Sequence, residues 1–225
     1  MRSVAMLVLL TVFAFSGVEA AAQTHTAMVP VTVVLDFEQA KHSVPLETVQ
    51  AELQKLLGDS KLNVKLRLRQ ELPADPQLGE LVVFKMRGRC TPAPLPVGAL
   101  SDERGPLAMT YTTDGEILPF GEVECDHVRQ SLERVLGKAN DERHTNAFGL
   151  AVARVMAHEI YHMLADSKAH TKTGVTRESL SPTQLSQASL IMPDEARTRL
   201  QANGAGPRPA PDAESAGFSK LRRKP

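Results

Sequence analysis

The chain is 225 residues long and carries 26 Lys and Arg against 26 Asp and Glu, seven His, two Cys and no Trp. Balanced charge leaves no electrostatic footprint for nucleic acid or an anionic surface, and the one basic cluster, Lys220-Leu221-Arg222-Arg223-Lys224, is confined to a tail. After the first twenty-odd residues no stretch is long and apolar enough to span a bilayer, which takes about 20 apolar residues.

In chain order, Arg2, the apolar run Val4 to Phe15 and the small-residue site Val18-Glu19-Ala20 read as a secretion signal over 1–22, cleaved after Ala20 or Ala22. The expectation is a secreted or periplasmic protein with no membrane association after cleavage. What remains, about 200 residues, suffices for one domain with a proper core. That domain is expected over 27–201, followed by a Pro-, Gly- and Ala-rich disordered tail over 202–225.

Val29 to Phe37 is rich in β-branched residues and predicts a strand. Leu46, Val49, Leu53, Leu56 and Leu57 have helical spacing, which Gly58 ends. Leu62, Val64, Leu66 and Leu68 alternate with polar residues, marking a half-buried strand, and Glu80 to Met86 predicts another. Cys90 to Gly105 reads as a Pro- and Gly-punctuated loop. A short strand over Leu107 to Thr112 then meets the turn Asp114-Gly115, with a short return through Ile117 and Leu118. A helix is predicted from about Glu124 to Lys138, then a polar gap over Asn140 to His144. Cys90 and Cys125, an even pair in an exported chain, read as a disulfide that ties the sheet region to the segment ahead of the next helix.

That helix, expected over Ala147 to Ala165 with Thr145 and Asn146 as N-cap candidates, carries the chemistry. It is apolar on every side, the pattern of a helix buried at a domain centre, yet it holds His158, Glu159 and His162. Buried polar groups without partners cost about 1–3 kcal/mol each, and a metal ion with its water satisfies all three. His158 and His162 are four apart and share one helix face, so both rings reach one ion. Glu159, one position round, reaches a metal-held water without displacing it, the place of a general base.

The order strand, helix, three strands and HExxH helix resembles the zincin metallopeptidases, metzincin-like ones above all, over 29–170 in layout and over 147–170 in specific residues. The resemblance implies an α+β, zincin-like domain with a twisted mixed sheet on helices and a central motif helix. It also implies Zn2+ on His158 and His162, Glu159 as base, and a peptide or protein substrate lying along an edge strand. A metzincin continues with glycine three residues and histidine six residues past the second motif histidine; here Ala165 and Lys168 hold those places.

A catalytic zinc takes three protein ligands and keeps one position open. His170, past the polar exit Asp166-Ser167-Lys168, is the substitute for the third, with Glu178 the next candidate; Asp166 lies too far from His158 to share its ion. Ser189-Leu190-Ile191-Met192-Pro193 invites comparison with the methionine turn beneath the metzincin metal. Tyr111 and Tyr161 are the only phenols that could stabilise an oxyanion. His25, His42, His127 and His144 lack a partner at ligand spacing and read as surface residues, although His127 and His144 flank the motif helix in sequence. The expected protein is a monomeric zinc endopeptidase; the competing expectation is a non-catalytic zinc-binding module of the same fold.

Overall fold

The computed structural model describes residues 28–40, 42–73, 79–93, 105–137, 140–186 and 189–203. The signal segment, His25, most of the loop after Cys90 and the tail beyond Asn203 lie outside the described residues.

Five strands, β1 (Val29–Phe37), β2 (Leu62–Leu68), β3 (Glu80–Arg87), β4 (Ala108–Thr113) and β5 (Glu116–Glu124), form one mixed sheet in the order β2-β1-β3-β5-β4. All pairings are parallel except β4 with β5. Five helices accompany them: α1 (Leu46–Gly58), α2 (Cys125–Leu136), α3 (Asp141–Ala165), α4 (Pro182–Ser186) and α5 (Asp194–Asn203). The fold is α+β, as expected. Alternate residues Val31, Val33 and Leu35 of β1 and Val82, Phe84 and Met86 of β3 are buried in the common core, the period of two that a strand imposes.

β2 ends the sheet, and its outer edge is not left open. Gln50 of α1 accepts from the Leu66 amide at 2.7 Å and donates to the Val64 carbonyl at 2.8 Å. Gln54 accepts from the Val64 amide at 2.9 Å and donates to the Leu62 carbonyl at 3.2 Å. Two side-chain amides thus complete a ladder that would otherwise offer a template for another strand.

β5 is nine residues long rather than a short return. Pro119 is the reason it reads short, because proline donates no backbone hydrogen bond and is confined to edges and bulges. The strand accommodates it at an irregularity: Leu118, Pro119 and Phe120 oppose the single residue Tyr111 of β4, and the ladder with β3 begins only at Phe120. Beyond the irregularity Thr110 pairs with Gly121. A Cβ at Gly121 would lie 2.6 Å from the Met109 carbonyl and 2.8 Å from Met163 Cε, so glycine there lets α3 and β4 close on the same strand.

α3 begins six residues before Ala147, so the polar stretch is helix, not gap. Its N-cap is Asn140, whose side chain accepts from the Arg143 amide at 2.9 Å, with Asp141 and Glu142 in the first turn, where acidic groups favour the helix dipole. Thr145 and Asn146 are interior. α3 packs against α1, α2, α4, α5, β4 and β5, and nearly all its residues from Ala147 onward are buried. At Gly149 the absent Cβ would stand 2.7 Å from Pro45 and 2.9 Å from Thr48, so glycine sets the close approach of α1.

α4 and α5 had no counterpart in the sequence reading: α4 is five residues long, and α5 lacks a wide apolar face, burying Ala196 and Leu200. α5 runs to Asn203. Arg199 of α5 donates to the Tyr161 hydroxyl at 2.8 Å, and Asn203 donates to the Ala165 carbonyl at 2.6 Å, satisfying a carbonyl at the end of α3. The expected Cys90–Cys125 disulfide is present and joins the end of the β3 segment to the first residue of α2.

Arg154 at the centre of α3 is 2 % exposed; its Nε donates to Glu52 of α1 at 2.9 Å and its Nη1 to the Gln184 carbonyl at 2.6 Å. Removing one partner of a buried ion pair strands the other charge, at a cost of about 3–5 kcal/mol. Glu52→Ala is expected to lower unfolding free energy by about 3 kcal/mol in urea titration, whereas Glu47→Ala on the same helix changes it by less than about 0.5 kcal/mol.

Candidate metal centre

His158, His162 and His170 converge: their ligand nitrogens all lie within 4.8 Å of one another, close enough to hold one metal ion. The ring centroids stand 4.7 Å apart for His158 and His162, 5.1 Å for His158 and His170, and 4.9 Å for His162 and His170. α3 supplies the first two from adjacent turns. His170 arrives from the segment beyond.

The chain leaves α3 through Asp166, whose φ of 45° is left-handed. That conformation penalises most side chains and is tolerated by Asp, whose short polar group bonds locally. The sharp turn thus falls one residue after Ala165, and the next histidine in the chain is His170. From there the loop is tied tightly. The Thr171 amide donates to the Thr176 carbonyl at 3.0 Å, the hydroxyls of Thr171 and Thr176 meet at 2.6 Å, and the Val175 amide donates to the Ile191 carbonyl at 3.0 Å.

These ties fix the hydrogen positions on the rings. His158 Nδ1 lies 3.0 Å from the Val175 carbonyl and His162 Nδ1 2.5 Å from the Ser167 carbonyl. A carbonyl only accepts, so each Nδ1 carries the hydrogen, and a neutral imidazole then has a bare Nε2. The two Nε2 atoms face each other at 3.0 Å. Two lone pairs at that separation repel unless a cation, a proton or a metal ion, lies between them. Burial drives the His158 imidazole down to about 4, so near neutral pH that ring does not supply the proton itself. His170, mostly exposed, is also shifted down, first by desolvation and then by the charge of His162.

Glu159, 8 % exposed, lines a cavity of about 550 Å³ together with His158. The floor is α3, with Val155, His158 and Glu159; the walls are the approach to β4, one face of α2, and the loop from Arg177 to Pro182. Thr110 of β4 donates to Glu159 Oε2 at 2.6 Å. Burial raises the Glu159 pKa, and the Thr110 bond opposes that shift. Thr110 was absent from the sequence reading: a threonine in an edge strand carries no spacing signal toward a helix nearly fifty residues away.

Glu178 stands outside the imidazole cluster and lines the cavity, from where its charge raises the proton affinity of His170. Asp166 is the helix-ending residue and takes no part in the cluster. Met192 is buried, and the Ile191 carbonyl beside it holds the Val175 amide, which places the Met-bearing turn one backbone bond behind the carbonyl that orients His158.

Neither phenol lines the cavity. Tyr161 is wholly buried with its hydroxyl accepting from Arg199, and Tyr111 donates to Glu122 at 2.6 Å on β5, which raises its pKa. Of the remaining histidines, His127 does line the cavity, its Nδ1 bonded to the Pro106 carbonyl at 3.0 Å. His144 is buried within α3, not a surface residue, and His42 stacks on Phe37 at 3.6 Å.

No protein-family model matches the chain, and no curated protein matches it in sequence.

His158 is protonated in the unfolded chain below its ordinary value of 6.5 and in the folded chain only below about 4. Across that window the unfolded state binds more protons, so the stability this group contributes is present above 6.5 and is lost as pH falls toward 4. Glu159, with its raised pKa, acts in the opposite sense over part of the range. After chelator treatment, the melting temperature of the wild type is therefore expected to fall more steeply between pH 6.5 and 4 than that of His158→Gln. Parallel curves for the two proteins contradict the assignment.

Proposed function

We propose that this chain is a zinc metallopeptidase of the zincin type, in which His158, His162 and His170 hold one Zn2+ and Glu159 is the general base for hydrolysis of a peptide bond. The supporting observation is the pair of bare Nε2 atoms facing each other at 3.0 Å, with the His170 ring beside them. Zinc–imidazole bonds of about 2.0–2.1 Å in a tetrahedral set separate two ligand nitrogens by about 3.3 Å, close to what these rings present. Among the described residues the cluster has three imidazoles and no fourth protein donor, the donor set of a catalytic rather than a structural zinc. When bound, the ion supplies a Lewis acid that polarises a carbonyl and brings a water within reach of deprotonation near neutral pH.

The chain's own groups do the rest. Glu159 takes the proton of the attacking water and returns it to the departing amine. Its burial raises the pKa and so strengthens the carboxylate as a base, while the Thr110 hydroxyl holds one oxygen in place and restrains that shift. The carbonyls of Val175 and Ser167 keep both ring tautomers ready to ligate. The cavity walls shield the reacting centre from bulk water and provide room for substrate. A non-catalytic zinc module has no use for a carboxylate buried at a cavity floor, which favours the enzyme reading.

The disulfide fits an oxidising compartment, and no helix among the described residues is long and apolar enough to cross a membrane. With the signal-like segment over 1–22, these support a secreted or periplasmic peptidase that acts on a peptide or protein, as a monomer and without nucleic acid.

Elemental analysis of the purified mature protein is expected to find one zinc per chain. Glu159→Gln should keep that zinc and lose turnover by about 10²–10⁴-fold on a peptide mixture, whereas His170→Ala should lose most of the metal. Full zinc in His170→Ala removes that ligand from the site, and undiminished turnover in Glu159→Gln removes the base. Thr110→Val deletes a bond that lowers the Glu159 pKa, so the acidic limb of kcat/KM should move to higher pH. A limb that stays in place argues that Thr110 does not bear on the reacting form of Glu159.

A further inference from the structure

The cavity beside Glu159 also holds two guanidinium groups that proton transfer does not use. Arg134 lies in the last turn of α2 on one wall, and half-buried Arg177 lies on the loop after His170 on the other. Among the described residues neither forms a salt bridge, whereas Arg129, Arg154, Arg197 and Arg199 each pair with a carboxylate. Among the described residues the acidic side chains that share the cavity are Glu159 and Glu178. Glu159 is bonded to Thr110 and Glu178 is exposed, and neither pairs with an arginine among the described residues.

The cavity thus offers two forked donors, on two of its walls, that no protein carboxylate occupies and that suit a planar anion. A carboxylate matches guanidinium geometry through paired N–H···O bonds, which a carboxamide matches only in part and an ammonium not at all. Val155 and Leu180 supply apolar surface for the methylene stem of a longer acid.

We propose that Arg134 and Arg177 make this peptidase select substrates with an acidic side chain, Glu or Asp, adjacent to the scissile bond. This rests on the hydrolytic reading above and adds the substrate class to it.

The test uses the full zinc-loaded chain and matched fluorogenic peptides carrying Glu, Gln or Lys on either side of the cleaved bond. Hydrogen bonds between charged groups contribute about 1.5–3 kcal/mol, so Glu should exceed Gln in kcat/KM by about 10–100-fold. In Arg134→Gln/Arg177→Gln the Glu-to-Gln ratio should fall to near one, and Arg177→Glu should shift preference toward Lys; unchanged melting temperatures verify that the variants fold. The same peptides are titrated by fluorescence anisotropy into Glu159→Gln, with and without the arginine substitutions, as a readout that needs no turnover. Cleavage without acid preference overturns this inference and leaves the peptidase reading in place. No cleavage, with acidic peptides still bound through the two arginines, overturns the peptidase reading and leaves the anion-selecting cavity. Neither cleavage nor arginine-dependent binding overturns both.

Discussion

Two imidazole nitrogens 3.0 Å apart, each left without a hydrogen because the opposite ring nitrogen must donate to a carbonyl, set the constraint around which this structure is organised. The helix alone brings the rings together; it does not choose their tautomers. That choice belongs to the segment after α3. The left-handed turn at Asp166 returns the Ser167 carbonyl to His162, and the Thr171–Thr176 loop, pinned to Ile191, holds the Val175 carbonyl on His158. The same segment carries His170. One stretch of chain thus both orients two candidate ligands and delivers the third, so its anchoring on Ile191, next to α5, bears directly on the chemistry.

The cost of burying polar groups in α3 is met at four positions by a partner from another element, while His144 Nε2 is buried without one. Arg154 has Glu52 and Gln184, Tyr161 has Arg199, His162 has Ser167, and Glu159 has Thr110. These partners come from α1, α4, α5, β4 and the loop after α3, which is why so many elements pack on one helix. Glu159 is held at a compromise between burial, which favours its neutral form, and a hydroxyl donor, which favours the charge. For a group proposed to accept and then return a proton, that balance is functional as well as structural.

The sheet serves the site through β4 and β5. The irregularity opposite Tyr111 absorbs Pro119, Gly121 admits Met163, and Thr110 is thereby set against Glu159. At the far end of the sheet the task is different: two glutamines of α1 close the edge of β2.

Much of this was legible from the chain by itself, where the signal is local and periodic. Alternation in Leu62 to Leu68, heptad-like spacing in α1, the paired cysteines and the four-residue interval between His158 and His162 each follow from the geometry of a single element or the chemistry of a pair. The start of α3 was misread because a polar first turn lacks apolar periodicity although Asn140 caps it well, and β5 was cut short by a proline whose bulge cannot be seen without its partner strand. α5 was missed because its surface is polar and its two anchoring bonds reach residues 38 positions away. His170 was preferred over Glu178 from its place beyond the helix exit, but the turn at Asp166 and the Thr171–Thr176 loop that bring it beside the pair are tertiary features. Sequence alone specified the helix and the pair of imidazoles, because both depend on neighbours a turn apart. Tertiary structure decided which third histidine converges on that pair, the ring tautomers, the Thr110 contact and the two-arginine cavity, because each depends on backbone carbonyls and side chains brought together from distant parts of the chain.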